Sequence, residues 1–158
     1  LLLKERQDMV FFVVGDGPDK KKIQEMIPKD QEQHFLFTGK INNVEEVIAL
    51  FDVAVLASYG EGTSNSLLEY MLLEKPVVVT EVDGITEVVT HGEQGYWVKQ
   101  NDSASMMQRI GELMDDPEKA KSMGNAGRKL VSRLYSIEQM VNAYEGVYKE
   151  VLDHNPEQ

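Results

Sequence analysis

Glu61 and Glu69 stand eight positions apart, with the small, polar run Gly62-Thr63-Ser64-Asn65-Ser66 between them. A valine-rich stretch, VAVLAS over 53–58, precedes this segment, and an apolar stretch, LLEYMLLE, continues it. Strand, small-residue turn and helix start are the parts that present backbone N–H groups to a phosphate. The second carboxylate then lies about one turn into the helix, within reach of a sugar ring attached to that phosphate. The chemistry indicated is a nucleotide or nucleotide-sugar site. The plainer alternative makes Glu61 a solvated loop carboxylate and Glu69 a helix decoration. Against it, Leu67, Leu68, Met71, Leu72 and Leu73 surround Glu69, so its helix reads as apolar nearly all round. A carboxylate there is expected to need a partner such as ribose hydroxyls, because burying it unpaired is costly. Ser64, Asn65 and Ser66 suit a side-chain helix cap as well as an anion site, and residue type does not separate the two.

Other segments offer weaker chemistry. Gly15-Asp16-Gly17-Pro18 ends a strand-like run. It lacks the third glycine of a dinucleotide fingerprint and the lysine-serine pair of a phosphate-binding P-loop. It reads as a tight turn with Asp16 capping a helix, and as a lining of the ligand crevice at a strand's carboxyl end. Gly84 follows Asp83 after the PVVVT run, and serves either a turn or a close backbone approach to a ligand. His91 reads as a surface loop residue, and Tyr96 and Trp97 as core residues of a strand. The histidines at 34, 91 and 154 are scattered, and no acidic pair stands where a metal would bridge phosphates. No metal and no cofactor are expected.

The elements that must position these residues follow from periodicity. VFFVV (10–14), HFLFTG (34–39), VAVLAS (53–58), PVVVT (76–80) and GYWV (95–98) are continuous apolar runs suited to strands buried on both faces. Helical patterns lie between them at about 19–27, 43–51, 65–74 and 84–90. The alternation predicts an α/β domain with a doubly wound, mostly parallel sheet. Three further helices are expected over 103–115, 118–133 and 137–152, with Asp102 or Ser103, Pro117 and Ser136 as start signals. They pack on the sheet or lead elsewhere. Residues 1–152 form one expected domain and 153–158 a tail, and the opening LLLKERQDM reads as the end of a helix already under way in a longer protein.

Composition excludes several classes. The chain has 158 residues, 42% of them apolar and 27% charged, as in an ordinary globular domain. Its net charge is −11 and its arginines, Arg6, Arg109, Arg128 and Arg133, form no block, so nucleic acid is not an expected partner. Nor does the segment encode a hold on an anionic membrane. It has no cysteine, which excludes disulfides and zinc-thiolate sites and suits a cytoplasmic location. In the full-length protein a peripheral position at the inner face of a membrane is compatible with this.

In order along the chain, VVGDGP, FTGKI, VAVLASYGEGTSNSLLEYMLLEKPVVVTEVDGITEVV, HGEQGYWV and the helical MGNAGRKLVSRLYSIEQMVNAYEGVYKEVL resemble the C-terminal, donor-binding domain of GT-B-fold retaining glycosyltransferases, the glycosyl transferases group 1 family. The resemblance implies a Rossmann-like half with five strands here, the usual first strand being missing. It implies a nucleotide-sugar donor such as a UDP- or GDP-sugar. Glu69 would bind the ribose hydroxyls, and the backbone of Gly62, Thr63, Ser64, Asn65 and Ser66 the distal phosphate. Glu61 would touch the transferred sugar and stabilise charge near its anomeric carbon, as the catalytic residue. Lys40 and Ile41 would contact the base, and Gly15 and Gly84 would line the donor site. The sugar, lipid-linked or glycan acceptor would be brought by an N-terminal domain, in polysaccharide or glycoconjugate synthesis, and the segment alone would be inactive. Three departures stand out: the Arg/Lys pair that neutralises the diphosphate is absent, so is the acceptor domain, and the family's two glycines after PVVVT appear as Asp83-Gly84.

Three rival functions have their own requirements. A GT-B sugar-nucleotide epimerase would need an acid–base group near C2 of the sugar, for which His91 is the candidate. A non-catalytic nucleotide-sugar-binding or scaffold module would not need Glu61 and Glu69 intact. A phospho-accepting signalling domain would need an acid where Tyr59 stands. In a doubly wound sheet the missing strand is the central one. VFFVV and VAVLAS are therefore expected either to pair directly or to leave a gap filled by another chain.

Overall fold

All five apolar runs form strands in the computed structural model, which describes residues 2–154. They are β1 (Phe11–Val14), β2 (Phe35–Gly39), β3 (Ala54–Leu56), β4 (Val77–Thr80) and β5 (Gly95–Val98). Every pairing between them is parallel. The helices are α1 (Leu2–Glu5), α2 (Lys20–Glu25), α3 (Val44–Ile48), α4 (Asn65–Leu72), α5 (Asp83–Thr86), α6 (Ser103–Asp115), α7 (Pro117–Leu134) and α8 (Ile137–His154). Residues 155–158, most of the expected tail, lie outside the described residues. A 3-10 helix over Lys29–His34, which the sequence pattern did not indicate, leads into β2.

The strands make two sheets rather than one: β1-β2 and β3-β4-β5. Among the described residues β1 does not pair with β3. The described residues correspondingly fall into two compact units that divide after Val47.

In the first unit Phe11 pairs with Phe35, and their rings stack at 5.0 Å. The carboxyl ends of the two strands are tied by the Gly15 N–H, which donates to the Gly39 carbonyl at 3.0 Å. Asp16 does not cap α2 as the sequence suggested. Asp19 holds the cap position without a side-chain bond, and Asp16 Oδ1 instead accepts from the adjacent Gly17 N–H.

In the second unit β4 is the central strand, buried along its whole length. Leu67 and Met71 of α4, Ile85 of α5 and Val131 of α7 pack with it into one core. Burying a side chain the size of Leu67 or Met71 contributes about 1.5–3 kcal/mol. Asp102 caps α6 by accepting from the Ser105 N–H at 2.9 Å. Asp116 caps α7 through the Lys119 N–H at 3.0 Å, with Pro117 next in the chain, and each such cap is worth about 1 kcal/mol. Ser136 Oγ accepts from the Gln139 N–H at the start of α8, as expected. This last helix buries none of its residues. No described helix is long and apolar enough to cross a membrane.

The position of α4 depends on α7. Glu74, just past α4, has a φ of 57°, and the N–H groups of Glu74 and Lys75 close the helix end on the Met71 and Tyr70 carbonyls. Gly124 of α7 lies so close to this turn that a Cβ there would collide with the Glu74 carbonyl oxygen. Gly124→Ala is therefore expected to destabilise the fold by about 1–3 kcal/mol. The check is urea unfolding, and an unchanged midpoint would contradict this packing.

Candidate functional site

The site in the second unit grows from the place where β3 stops pairing. Its last rung sets Leu56 opposite Val79. Beyond it the ladder gives way to a side chain. Thr80 Oγ1 accepts from the Ser58 N–H at 2.8 Å and donates to the Ser58 carbonyl at 2.7 Å. Both polar groups of Ser58's backbone are thus satisfied while the chain turns away from the sheet. The Ser58 hydroxyl in turn donates to Glu61 Oε1 at 2.7 Å. Thr80 is only 5% exposed, so this clasp sits in the core, whereas Glu61 is half-buried at its rim.

Gly84 completes the frame. A Cβ there would collide with the carbonyl oxygens of Glu61 and Gly62. Its missing side chain therefore admits the 61–62 loop; the sequence had left a turn and a ligand contact as alternatives. Tyr59 fixes the other side: its hydroxyl donates to Asn101 Oδ1 at 3.1 Å, and Gln100 Nε2 donates to its carbonyl at 2.9 Å.

The loop delivers the chain to α4 at Ser64, whose φ and ψ of −80° and 118° are those of a cap residue. No side chain caps this end. The Leu68 N–H is bonded to the Ser64 carbonyl at 3.2 Å, and the amides of Asn65, Ser66 and Leu67 precede it, with no intrahelical acceptor. Asn65 and Ser66 are exposed and Ser64 is buried. Between the two alternatives that residue type left open, the geometry shows an open helix end. Glu69 lies one turn along from Asn65 on the same face.

The expected burial of Glu69 does not hold: the residue is exposed, because the buried stripe of α4 runs through Leu67 and Met71 instead. No apolar shell forces a partner on the carboxylate, and it is open to a ligand from solvent. Its charge does act on Tyr70. Burial, and after it the neighbouring Glu69 charge, push the Tyr70 phenol above the ordinary tyrosine value.

Glu61, Gly62, Thr63, Ser64, Asn65, Ser66, Glu69 and Gly84 thus share the second unit, gathered around the carboxyl ends of β3 and β4 and the start of α4. Gly15, Lys40 and Ile41 belong to the first unit, at the carboxyl ends of β1 and β2. His91 is exposed, but its Nδ1 faces the Trp97 N–H at 3.3 Å and its ring lies against Trp97 at 4.7 Å. Tyr96 is buried and Trp97 half-buried, close to the core placement expected. An open cleft lined by Phe51, Asp52, Glu74, Lys75 and Leu113 lies at the opposite, amino ends of β3 and β4, away from the acidic loop. Sequence reasoning missed Ser58 and Thr80. The available signal was a single hydroxyl closing an otherwise all-valine strand, and a serine three positions before Glu61.

The Tyr70 shift gives a direct readout of the charge at Glu69. A tyrosine with a raised folded value favours the neutral phenol in the folded state. Its contribution to stability is complete below a pH of about 10 and is lost as pH rises through the folded value. Glu69→Gln is expected to lower the Tyr70 pKa without restoring the ordinary value, since burial remains. Titration of Cζ-labelled tyrosine by NMR checks this, and an unchanged Tyr70 curve would contradict it.

Known proteins resemble this chain in sequence and in fold. A family model described as Glycosyl transferases group 1 matches residues 1–130. N-acetyl-alpha-D-glucosaminyl L-malate synthase of Bacillus anthracis is 34% identical over 146 residues, 92% of this chain and 38% of the relative. The capsular polysaccharide biosynthesis glycosyltransferase CapM of Staphylococcus aureus is 30% identical over 115 residues, 71% of this chain and 30% of the relative. Among solved structures, an S. aureus TarM mutant in complex with Fondaparinux, alpha-GlcNAc-glycerol and UDP superposes with a TM-score of 0.86 at 23% identity, over 93% of this chain and 30% of that one. The chain spans well under half of each of these proteins.

Proposed function

Since this chain belongs to the glycosyl transferases group 1 family, we propose that it is the donor-binding half of a glycosyltransferase. The full-length enzyme would move a sugar from a nucleotide-sugar to an acceptor with retention of anomeric configuration. The observation that carries this reading is the uncapped start of α4, flanked by Glu61 and Glu69 at the carboxyl ends of two parallel strands. Ligands of open α/β sheets bind at such ends.

Each group then has a role its chemistry supports. The amides at Asn65 and Ser66, with the backbone of Gly62, Thr63 and Ser64, hold the distal phosphate, and the helix end favours its charge. Glu69 accepts hydrogen bonds from the ribose hydroxyls. Glu61 has one carboxylate oxygen engaged by Ser58, and its other oxygen is left to accept from the transferred sugar and to stabilise positive charge near the anomeric carbon. Gly84 contributes through the loop it admits. Gly15, Lys40 and Ile41 are assigned to the donor on the family resemblance alone. The scheme requires no resident metal. The acceptor, a sugar, lipid-linked or other glycan, is met by the N-terminal domain of the full-length protein, on the cytoplasmic side. Nucleic acid has no place in it. CapM supports a setting in polysaccharide synthesis.

Magnitudes bound what the chain does alone. A helix end contributes about 0.3–2 kcal/mol toward an anion. Hydrogen bonds to a charged carboxylate add about 1.5–3 kcal/mol. Together they amount to about 1.8–5 kcal/mol, a range that spans the roughly 4 kcal/mol of a millimolar complex. No lysine or arginine lies between Tyr59 and Tyr70 to neutralise the diphosphate. Tight binding therefore needs cationic groups from elsewhere in the full-length protein, and turnover needs donor and acceptor aligned across both domains.

No observation favours the epimerase, because His91 is engaged with the backbone and ring of Trp97. Calorimetric titration of the full-length protein with UDP and GDP tests the reading. Saturable binding of one nucleotide, weakened about tenfold or more in Glu69→Ala, is the expected result. Equal affinity in wild type and Glu69→Ala would overturn the assignment of Glu69.

A further inference from the structure

The contact between Thr80 and Ser58 has a consequence for turnover, which rests on the donor-half reading above. We propose that Thr80 and Ser58 are positioning residues that set the Glu61 carboxylate for the transition state and leave nucleotide affinity untouched.

After the Leu56–Val79 rung, Thr80 pairs with Val98 of β5 on one side. On the β3 side its hydroxyl takes over, accepting from the Ser58 N–H and donating to the Ser58 carbonyl. One hydroxyl thereby uses its donor and one acceptor site on a single residue. Two opposed bonds of 2.8 and 2.7 Å fix Ser58 in both translation and rotation. The Ser58 side chain then leaves its backbone in one direction and donates to Glu61 Oε1 at 2.7 Å. The path from buried strand to site carboxylate is therefore two side chains long. Gly84, against the Glu61 and Gly62 carbonyls, closes off retreat of the loop. Glu61 is half-buried at the rim, so without these restraints its side chain has solvent to move into.

Nucleotide binding has separate supports. The start of α4 and Glu69 belong to a helix held by Leu67 and Met71 in the core, and the phosphate-binding backbone that leads into it is held separately, with the Gly62 carbonyl against Gly84. The reading gives Glu61 the sugar and not the nucleotide. A displaced Glu61 therefore costs transition-state stabilisation and leaves UDP affinity unchanged, since misplacement by about an ångström lowers rates on the order of a hundredfold.

The experiment compares Thr80→Val, Thr80→Ser, Ser58→Ala and the double variant Thr80→Val with Ser58→Ala in the full-length protein. UDP release from UDP-glucose and UDP-N-acetylglucosamine, with the sugar passing to an added glycan acceptor or to water, gives kcat, and calorimetry gives the Kd for UDP. Thr80→Val is expected to lower kcat about tenfold or more while the UDP Kd stays within about twofold, and Thr80→Ser to keep near wild-type kcat. The double variant is expected to be no slower than Thr80→Val alone, because both changes break one path. Should Thr80→Val not fold, Ser58→Ala alone carries the same split between kcat and Kd. Wild-type kcat in Thr80→Val or Ser58→Ala overturns the proposal, as does a loss of UDP affinity matching the loss of rate, or full additivity in the double variant. A wild type that turns over neither donor but binds UDP overturns the catalytic reading and this proposal with it. Turnover in wild type with an unaffected clasp variant overturns the clasp alone.

Discussion

A strand buried on both faces can carry a polar side chain only if that side chain finds its bonds inside the protein. In β4 this constraint falls on Thr80, the one hydroxyl after Val77, Val78 and Val79. Left unbonded, it would cost about 1–3 kcal/mol. The cost is avoided by making the hydroxyl the last rung of the sheet on the β3 side. That choice decides much else in the second unit. The chain is held at Ser58, so the turn to Glu61 starts from a fixed point. The loop must then pass over Gly84, where no side chain could fit. It enters α4 at Ser64 with the helix end uncapped. A buried hydroxyl and an exposed carboxylate loop belong to the same piece of construction.

Most of the sheet was legible because valine-rich runs have few other outcomes. The five strands fall within one to two residues of where continuous apolar runs placed them, but the burial on both faces expected of those runs fails in β2 and β3, where Leu36 and Val55 are exposed. The helices over Ser103–Asp115 and Pro117–Leu134 were legible from amphipathic spacing and start signals such as Asp102 and Pro117. Lys29–His34 was not, since a polar segment of that length has no apolar period to read. The split into two sheets was half legible. Whether β1 would pair with β3 was left open, a matter of backbone geometry that no residue type encodes.

At the site, residue types gave the cast but not the arrangement. Glu61, Glu69 and the small residues between them were visible as chemistry. The burial inferred for Glu69 failed because counting apolar neighbours along a chain does not say which face of α4 turns inward; Leu67 and Met71 do, and Glu69 does not. Gly84 was legible as a special glycine, and only coordinates show that its partner is the backbone of Glu61 and Gly62. Ser58 and Thr80 were silent because a contact spanning 22 residues leaves no local pattern.

The central claim is that α4's open end and Glu69 receive the nucleotide. A crystal structure of the full-length protein with UDP bound tests it most directly. The account predicts phosphate oxygens within hydrogen-bond distance of the Asn65 and Ser66 amides, with the ribose hydroxyls on the Glu69 carboxylate. UDP seated in the cleft near Phe51 and Lys75, with the start of α4 in contact with solvent alone, would contradict it.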